Sequence, residues 1–218
     1  MATDAAATSR LIRRARLAES LTIAWMVVEL VVALWAGIVA HSVALTTFGI
    51  DSAIELFTAG VVLRQLLLHT ERATDGDLDR RERQASRLVG WSLCALIAYV
   101  VGSSLWSLLG AGHARSSSGG VALAVAALIV MPLLWRWRLG LAGRLDSPAL
   151  RGDAACSLVC TYMSATLLVG LLANRFLGWW WADPLAGLAM VWWIRGEAGE
   201  ALEAASSGRR GDDEGAAL

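Results

Sequence analysis

The 218-residue chain is 56% hydrophobic and 17% charged, a composition that argues against an ordinary soluble domain. All 19 basic residues are arginine, they balance 19 acidic residues, and they cluster between long apolar runs, so we expect no nucleic-acid partner. The three cysteines lie inside apolar runs, which argues against a disulfide-stapled secreted domain. The chain is therefore predicted to be an integral membrane protein.

Six stretches are long and apolar enough to approach the roughly 20 residues that a membrane-spanning helix needs. The predicted fold class is therefore all-α, a polytopic membrane protein built as a six-transmembrane-helix bundle. The predicted spans are Leu21–Ala40, Val43–Leu66, Leu88–Leu109, Gly120–Trp135, Ala154–Ala173 and Trp179–Ile194.

The distribution of arginines predicts the orientation of the bundle. With a cytoplasmic N-terminus, the outer loops hold only Arg115 and Arg175, which is a strong positive-inside signal that also places the C-terminus in the cytoplasm. Residues 1–20 are then a cytoplasmic N-terminal segment, residues 21–195 the transmembrane domain, and residues 196–218 a cytoplasmic, disordered tail. The segment with Arg136 and Arg138 is predicted to be a headgroup-facing turn.

Three carboxylates, Glu29, Asp51 and Glu55, fall deep within predicted spans, where a charge costs at least a few kcal/mol. The one arginine inside a predicted span, Arg64, falls at the cytoplasmic end of the second span, so no arginine lies deep enough to neutralise them. The carboxyl groups are therefore protonated, or line a hydrated cavity, or hold a cation that arrives from outside. Because Asp51 and Glu55 are four residues apart, they share one helix face, and a divalent cation between them would remove their repulsion.

Possible partners for this acidic pair lie on the fifth predicted helix. Asp153, Cys156 and Cys160 follow i, i+3, i+7 spacing and share one face. Thiolates combined with carboxylates suit zinc-like ions better than magnesium or calcium. Counting residues from the membrane boundaries places Glu55 and Cys160 at a similar depth.

Two stretches resemble a known family. HSVALTTFGIDSAIELFTAGVVLRQL resembles the second helix of cation diffusion facilitator transporters, and LRGDAACSLVCTYMSATLLVGLLANRFLGWWWADPLAGLAMVWWI is similar to helices 5 and 6 of a short subgroup related to the transmembrane protein 163 group. The resemblance implies a tetrahedral Zn²⁺ site at Asp51, Glu55, Cys156 and Cys160, with metal exchanged against protons. Cysteines stand here where the family commonly has His and Asp, and Glu55 replaces the commoner Asp.

The resemblance therefore predicts a secondary transporter, not an enzyme, that exports Zn²⁺, or else Cd²⁺ or Co²⁺, across the cell (inner or plasma) membrane by proton antiport. The metal is the cargo, and no cofactor is expected. The lipid bilayer and a second copy of the chain, paired within the membrane because the family's soluble domain is missing, are the expected partners. Alternative hypotheses are a non-transporting membrane interaction or regulatory protein on the same scaffold, and a proton-coupled carrier of organic cations.

Other polar residues have competing interpretations. Glu29 fits a proton-relay role or helix packing equally well, and Asp153 either guides cations inward or caps helix 5. Cys156 is a ligand or a small packing residue, as buried cysteines often are. Cys94 is predicted to pack, His41 to lie at the outer interface, and Asp183 to cap helix 6.

Overall fold

The computed structural model of the chain describes residues 2–68, 75–111, 114–145 and 148–215. Within these ranges the structure has six α-helices and no strand. They are α1 (Ala2–Ala40), α2 (Val43–Leu68), α3 (Asp75–Trp106, followed by a π-helical turn at Ser107–Ala111), α4 (Ser118–Leu145), α5 (Pro148–Leu177) and α6 (Ala182–Gly215). The prediction of an all-helical polytopic membrane protein is confirmed.

Four helices of the described part are long and apolar enough to cross a membrane: Arg10–Ala40, Arg87–Gly110, Ser118–Leu145 and Ser157–Leu177. The distribution of polarity agrees, since large apolar side chains such as Trp35, Val169 and Phe176 are mostly exposed. By contrast, several acidic side chains and one arginine are fully buried. Lipid is the solvent that fits such a surface.

Helix α2 lies at the centre of the bundle. It packs against α1, α3, α5 and α6, while α4 packs against α5 and α3 against α6. The α1–α2 contact is close: a Cβ atom on Gly37 would lie 2.7 Å from the Thr46 hydroxyl oxygen, and one on Gly49 would lie 2.9 Å from the Leu34 side chain. Glycine at both positions lets the two backbones approach, as is common between membrane helices.

Asp183 caps α2 and not α6, which corrects the sequence-based prediction. Its carboxylate accepts hydrogen bonds from the Ser42 hydroxyl and from the backbone N–H of Val43, at 2.8 Å. Ser42 in turn accepts a hydrogen bond from the N–H of Leu45, so the first turn of α2 is satisfied by two side chains. This contact fixes the N-terminal end of α2 to the start of α6.

Helices α4 and α6 continue ten residues or more past the C-terminal ends of their predicted spans. Helix α4 continues to Leu145, so Arg138 lies on a helix with its side chain fully buried and is not part of a headgroup-facing turn. Helix α6 continues to Gly215, through most of the segment predicted to be disordered. Its sequence after Arg195 is rich in Ala and Glu, which favour helix.

Candidate metal site

Asp51 and Glu55 lie on the face of α2 that points into the bundle. The side chain of Asp51 is completely buried and that of Glu55 is 5% exposed. Their spacing of one turn directs both carboxylates the same way, as the sequence predicts. The hydroxyls of Thr47 and Ser52, on the same helix, donate hydrogen bonds to backbone carbonyls of α2 one turn earlier. They therefore do not donate to the carboxylates of Asp51 and Glu55.

Cys160 reaches this acidic pair from α5. Its side chain is fully buried, and its Sγ atom donates a hydrogen bond to Glu55 Oε2 at 2.7 Å. One ligand atom from each of Asp51, Glu55 and Cys160 lies within 4.8 Å of the other two. Two helices that are a hundred residues apart in sequence therefore bring two carboxylates and a thiol to one point in the bundle.

The three donors match the geometry of a small dication. Donor atoms around a tetrahedral Zn²⁺ bind at about 2.0–2.3 Å and so lie about 3.5 Å from one another. The separations among the three side chains, from 2.7 Å to at most 4.8 Å, bracket that value. Side-chain shifts of about 1 Å would place all three within bonding distance of one ion. A tetrahedral ion would take a fourth ligand in addition to these three.

The carboxylate oxygens of the site are short of hydrogen-bond donors. Both oxygens of Asp51 and Oε1 of Glu55 are buried and receive no hydrogen bond from any residue that the structure describes. A buried acceptor left unsatisfied costs about 1–3 kcal/mol, and more when it is charged. Such a group is expected where a proton or a cation completes the structure.

Two more acids surround the three donors. Glu29 on α1 is completely buried, and neither of its oxygens accepts a hydrogen bond from a described residue. Glu197 on α6 is half-buried, with its Oε1 atom buried and likewise unbonded within the described part of the chain. Both carboxylates lie close enough to interact electrostatically with Asp51 and Glu55. The site is thus strongly acidic.

Glu197 is not among the residues predicted from the sequence, because it follows the predicted end of the sixth span. The sequence does contain a pattern that indicates its position: Ile194, Glu197 and Ala198 follow the helical period and so share one helix face. In the structure both apolar members of this series are buried in the main core. A residue between them on that face points into the bundle.

Apolar side chains enclose the thiol. Cys160 packs in a buried cluster with Met26, Ala59, Met131 and Leu134, contributed by α1, α2 and α4. This packing excludes water, and a low-dielectric setting strengthens every electrostatic interaction between the carboxylates and an entering cation. All three donors are buried, so an ion at this position would lie inside the bundle and not on its surface.

The other predicted site residues fall elsewhere. Cys156 and Asp153 lie on α5, but their side chains are outside the described part of the structure, so their roles as ligand and entry residue stay predictions. Cys94 is partly buried and packs against the main apolar cluster, and it is not part of the group formed by Asp51, Glu55 and Cys160. His41 is exposed in the turn between α1 and α2, where its φ is 52°.

One comparison with known proteins identifies the fold family. A family model described as the cation efflux transmembrane domain matches residues 20–207, which is most of the chain. No curated protein sequence matches the chain. Proteins with this domain are transporters that move divalent cations, and they are not enzymes. The matched range includes every residue of the candidate metal site.

Proposed function

The chain belongs to the cation efflux family, and from this membership we propose that it exports a divalent metal ion, Zn²⁺ foremost, with Cd²⁺ or Co²⁺ as further substrates. The observation that carries the choice of metal is the meeting of Asp51, Glu55 and Cys160 within 4.8 Å. A sulfur donor beside two carboxylates favours borderline-soft ions over Mg²⁺ and Ca²⁺, which prefer shells made only of oxygen.

We infer that protons are the counter-ion. A thiol and a carboxyl group bind a metal ion only after losing their protons, so loading the site releases protons and emptying it takes them up. The close approach of the Cys160 thiol to the Glu55 carboxylate, at 2.7 Å, supports this inference, because a hydrogen bond at that distance holds a proton between two proposed metal ligands. Metal and protons would then alternate on the same side chains during each transport cycle.

The remaining donors are assigned by position. Cys156, one turn before Cys160 on α5, is proposed as the fourth ligand, and Asp153 as the residue that attracts cations at the cytoplasmic end. Glu29 is proposed as a proton relay, since its carboxylate is fully buried and interacts electrostatically with Asp51. Export would run outward across the cell membrane, with both termini in the cytoplasm and two copies paired in the bilayer.

Reconstituted flux tests the proposed function. Purified protein is placed in liposomes that contain a zinc-sensitive dye or a pH-sensitive dye, and a zinc gradient is applied. We expect zinc entry coupled to proton movement in the opposite direction, with both signals abolished by Asp51→Asn, which removes one carboxylate charge at nearly constant volume. Glu203→Gln, at an exposed position on α6, is the matched control and should transport like the wild type.

The outcomes separate the competing functions. Zinc flux without proton movement would overturn the antiport mechanism but keep the exporter. If folded wild-type protein binds zinc but moves neither zinc nor protons, the chain is a non-transporting protein on the same scaffold. Proton movement driven by organic cations and not by zinc would contradict the choice of substrate.

A further inference from the structure

A second group of buried charges lies between α1, α4 and α5. Arg138 on α4 and Glu19 on α1 are both completely buried and form a two-point ion pair, with Nε to Oε1 at 3.1 Å and Nη2 to Oε2 at 3.4 Å. The Nη1 atom of Arg138 donates to the Ser157 hydroxyl on α5 at 2.6 Å. One guanidinium therefore connects three helices.

Stability alone gives no reason for this arrangement. Removing a charged pair from water is so unfavourable that well-packed apolar residues of similar volume are often neutral or stabilising at such positions. The best-attested use of a buried polar contact is to fix one arrangement of helices over its alternatives. The question is therefore which alignment the Glu19–Arg138 pair fixes.

Ser157 links the ion pair to the candidate metal site. It precedes Cys160 by three residues on α5, so the two side chains lie on the same face about one turn apart. Holding the Ser157 hydroxyl limits both the rotation of α5 and its sliding along α4. Because the Cys160 thiol meets Glu55 at 2.7 Å, a rotation of a few tens of degrees would carry the sulfur out of reach of the carboxylates.

We propose that Arg138 is a positioning residue for the metal site: paired with Glu19, it holds Ser157 and thereby keeps the Cys160 thiol directed at Glu55. Glu19 also affects the electrostatics of the metal site through its ion pair with Arg138. It neutralises a guanidinium that would otherwise lie near a site meant for a cation and compete for its carboxylates. The proposal rests on the proposed function only where it calls Asp51, Glu55 and Cys160 a metal site.

Thiol labelling of metal-free protein tests the positioning role without any transport. The background variant carries Cys94→Ser and Cys156→Ser, so Cys160 is its sole thiol. Because Cys160 is fully buried, its reaction with a maleimide reports how often the sulfur leaves its position. We expect Arg138→Gln to speed labelling about tenfold, the scale of coupling within a contact network. Arg136→Gln, at an exposed position two residues away on α4, should label at the background rate.

A milder pair of variants guards against loss of folding. Ser157→Ala removes only the hydroxyl that Arg138 contacts, and we expect labelling to rise about threefold. Ser164→Ala is its control, because Ser164 is equally buried on α5 but its hydroxyl donates to the carbonyl of Cys160 within the same helix. Unchanged labelling in both Arg138→Gln and Ser157→Ala would overturn the positioning role.

Cobalt binding with all native thiols present separates this proposal from the proposed function. In wild-type protein, bound Co²⁺ should show a sulfur-to-cobalt charge-transfer band, and Arg138→Gln should weaken that band while Arg136→Gln keeps it. If the wild type binds no cobalt but Arg138→Gln still labels faster, the positioning role stands and the proposed function fails. If the band is as strong in Arg138→Gln as in the wild type, the metal site stands and the positioning role fails.

Discussion

Two groups of buried charged side chains share one bundle and differ in whether their charges are matched. Glu19 and Arg138 are both fully buried, opposite in sign and joined by two hydrogen bonds. Asp51, Glu55 and Cys160 are as deeply buried, yet all are acids, and no described cation neutralises them. The charges of the matched pair neutralise each other within the folded chain, whereas the charges of the unmatched group are neutralised only when protons or a metal ion bind.

The contrast predicts opposite effects of the same chemical change on stability. Glu19→Gln leaves the Arg138 charge buried without its counter-ion and should cost about 3–5 kcal/mol, the usual penalty for removing one partner of a buried pair. Glu55→Gln removes an acid from a crowded acidic group and should leave metal-free protein as stable as the wild type or more so. Unfolding of both variants in detergent, without metal, measures the two values. Equal losses of stability would remove the distinction between the two groups.

Glu19 of the matched pair and the two acids of the unmatched group lie on α1 and α2, which are in close contact. Gly49→Ala would bring a Cβ atom to 2.9 Å from the Leu34 side chain, so we expect a loss of about 1–3 kcal/mol from overpacking and weaker metal binding with it. Gly60→Ala is the control on the same helix, because no neighbouring group of the described residues lies within 4 Å of the place its Cβ atom would take, and it should gain up to about 1 kcal/mol from helix propensity. Thermal unfolding distinguishes the two variants. Similar melting temperatures would show that α1 and α2 have room to separate.

The sulfur donor should decide which metal the unmatched group prefers. Cys160→Ser replaces a soft donor by a hard one, so we expect Cd²⁺ affinity to fall about tenfold, or about 1.4 kcal/mol, and Mg²⁺ affinity to stay unchanged. Competitive titration against a fluorescent chelator measures both affinities. Equal losses for the two ions would mean that the thiol packs beside the site and does not bind metal.

The smallest effect is expected at the edge of the acidic group. Glu197 is half-buried and interacts with Glu55 through space, so Glu197→Gln should reduce metal affinity about threefold through the loss of one nearby negative charge. Glu203→Gln, exposed on the same helix, should have no effect. The two variants are compared by zinc titration at low and high salt. An equal response in both would place Glu197 outside the site.

Much of the fold and the core of the site follow from sequence. Long apolar runs predict the helices, and the spacing of Asp51 and Glu55 predicts that both carboxylates share a face. Depth counting along two helices predicts that Cys160 and Glu55 lie at a similar depth in the membrane, because a helix rises a fixed distance per residue. What spacing could not supply is the 2.7 Å contact itself, which depends on how α2 and α5 are rotated and packed.

The errors concern polar residues at the helix ends. An arginine after an apolar run is normally predicted to face lipid headgroups. The Arg138 side chain instead points into the bundle, where it pairs with Glu19, a residue more than a hundred positions earlier in the chain. Asp183 precedes a proline and so reads as a cap for its own helix, yet its carboxylate serves α2. Both outcomes depend on contacts between helices distant in the chain, which local patterns do not encode.

X-ray absorption at the zinc edge, on purified protein loaded with one equivalent of Zn²⁺, addresses the site most directly. We expect a mixed shell with sulfur at about 2.3 Å and oxygen at about 2.0–2.2 Å, the sulfur being lost in Cys160→Ser and Cys156→Ser combined, and the ion itself in Asp51→Asn. A shell made only of oxygen and nitrogen in the wild type, or zinc retained in full by Asp51→Asn, would show that the buried acids of α2 and the thiol of α5 do not bind the metal together.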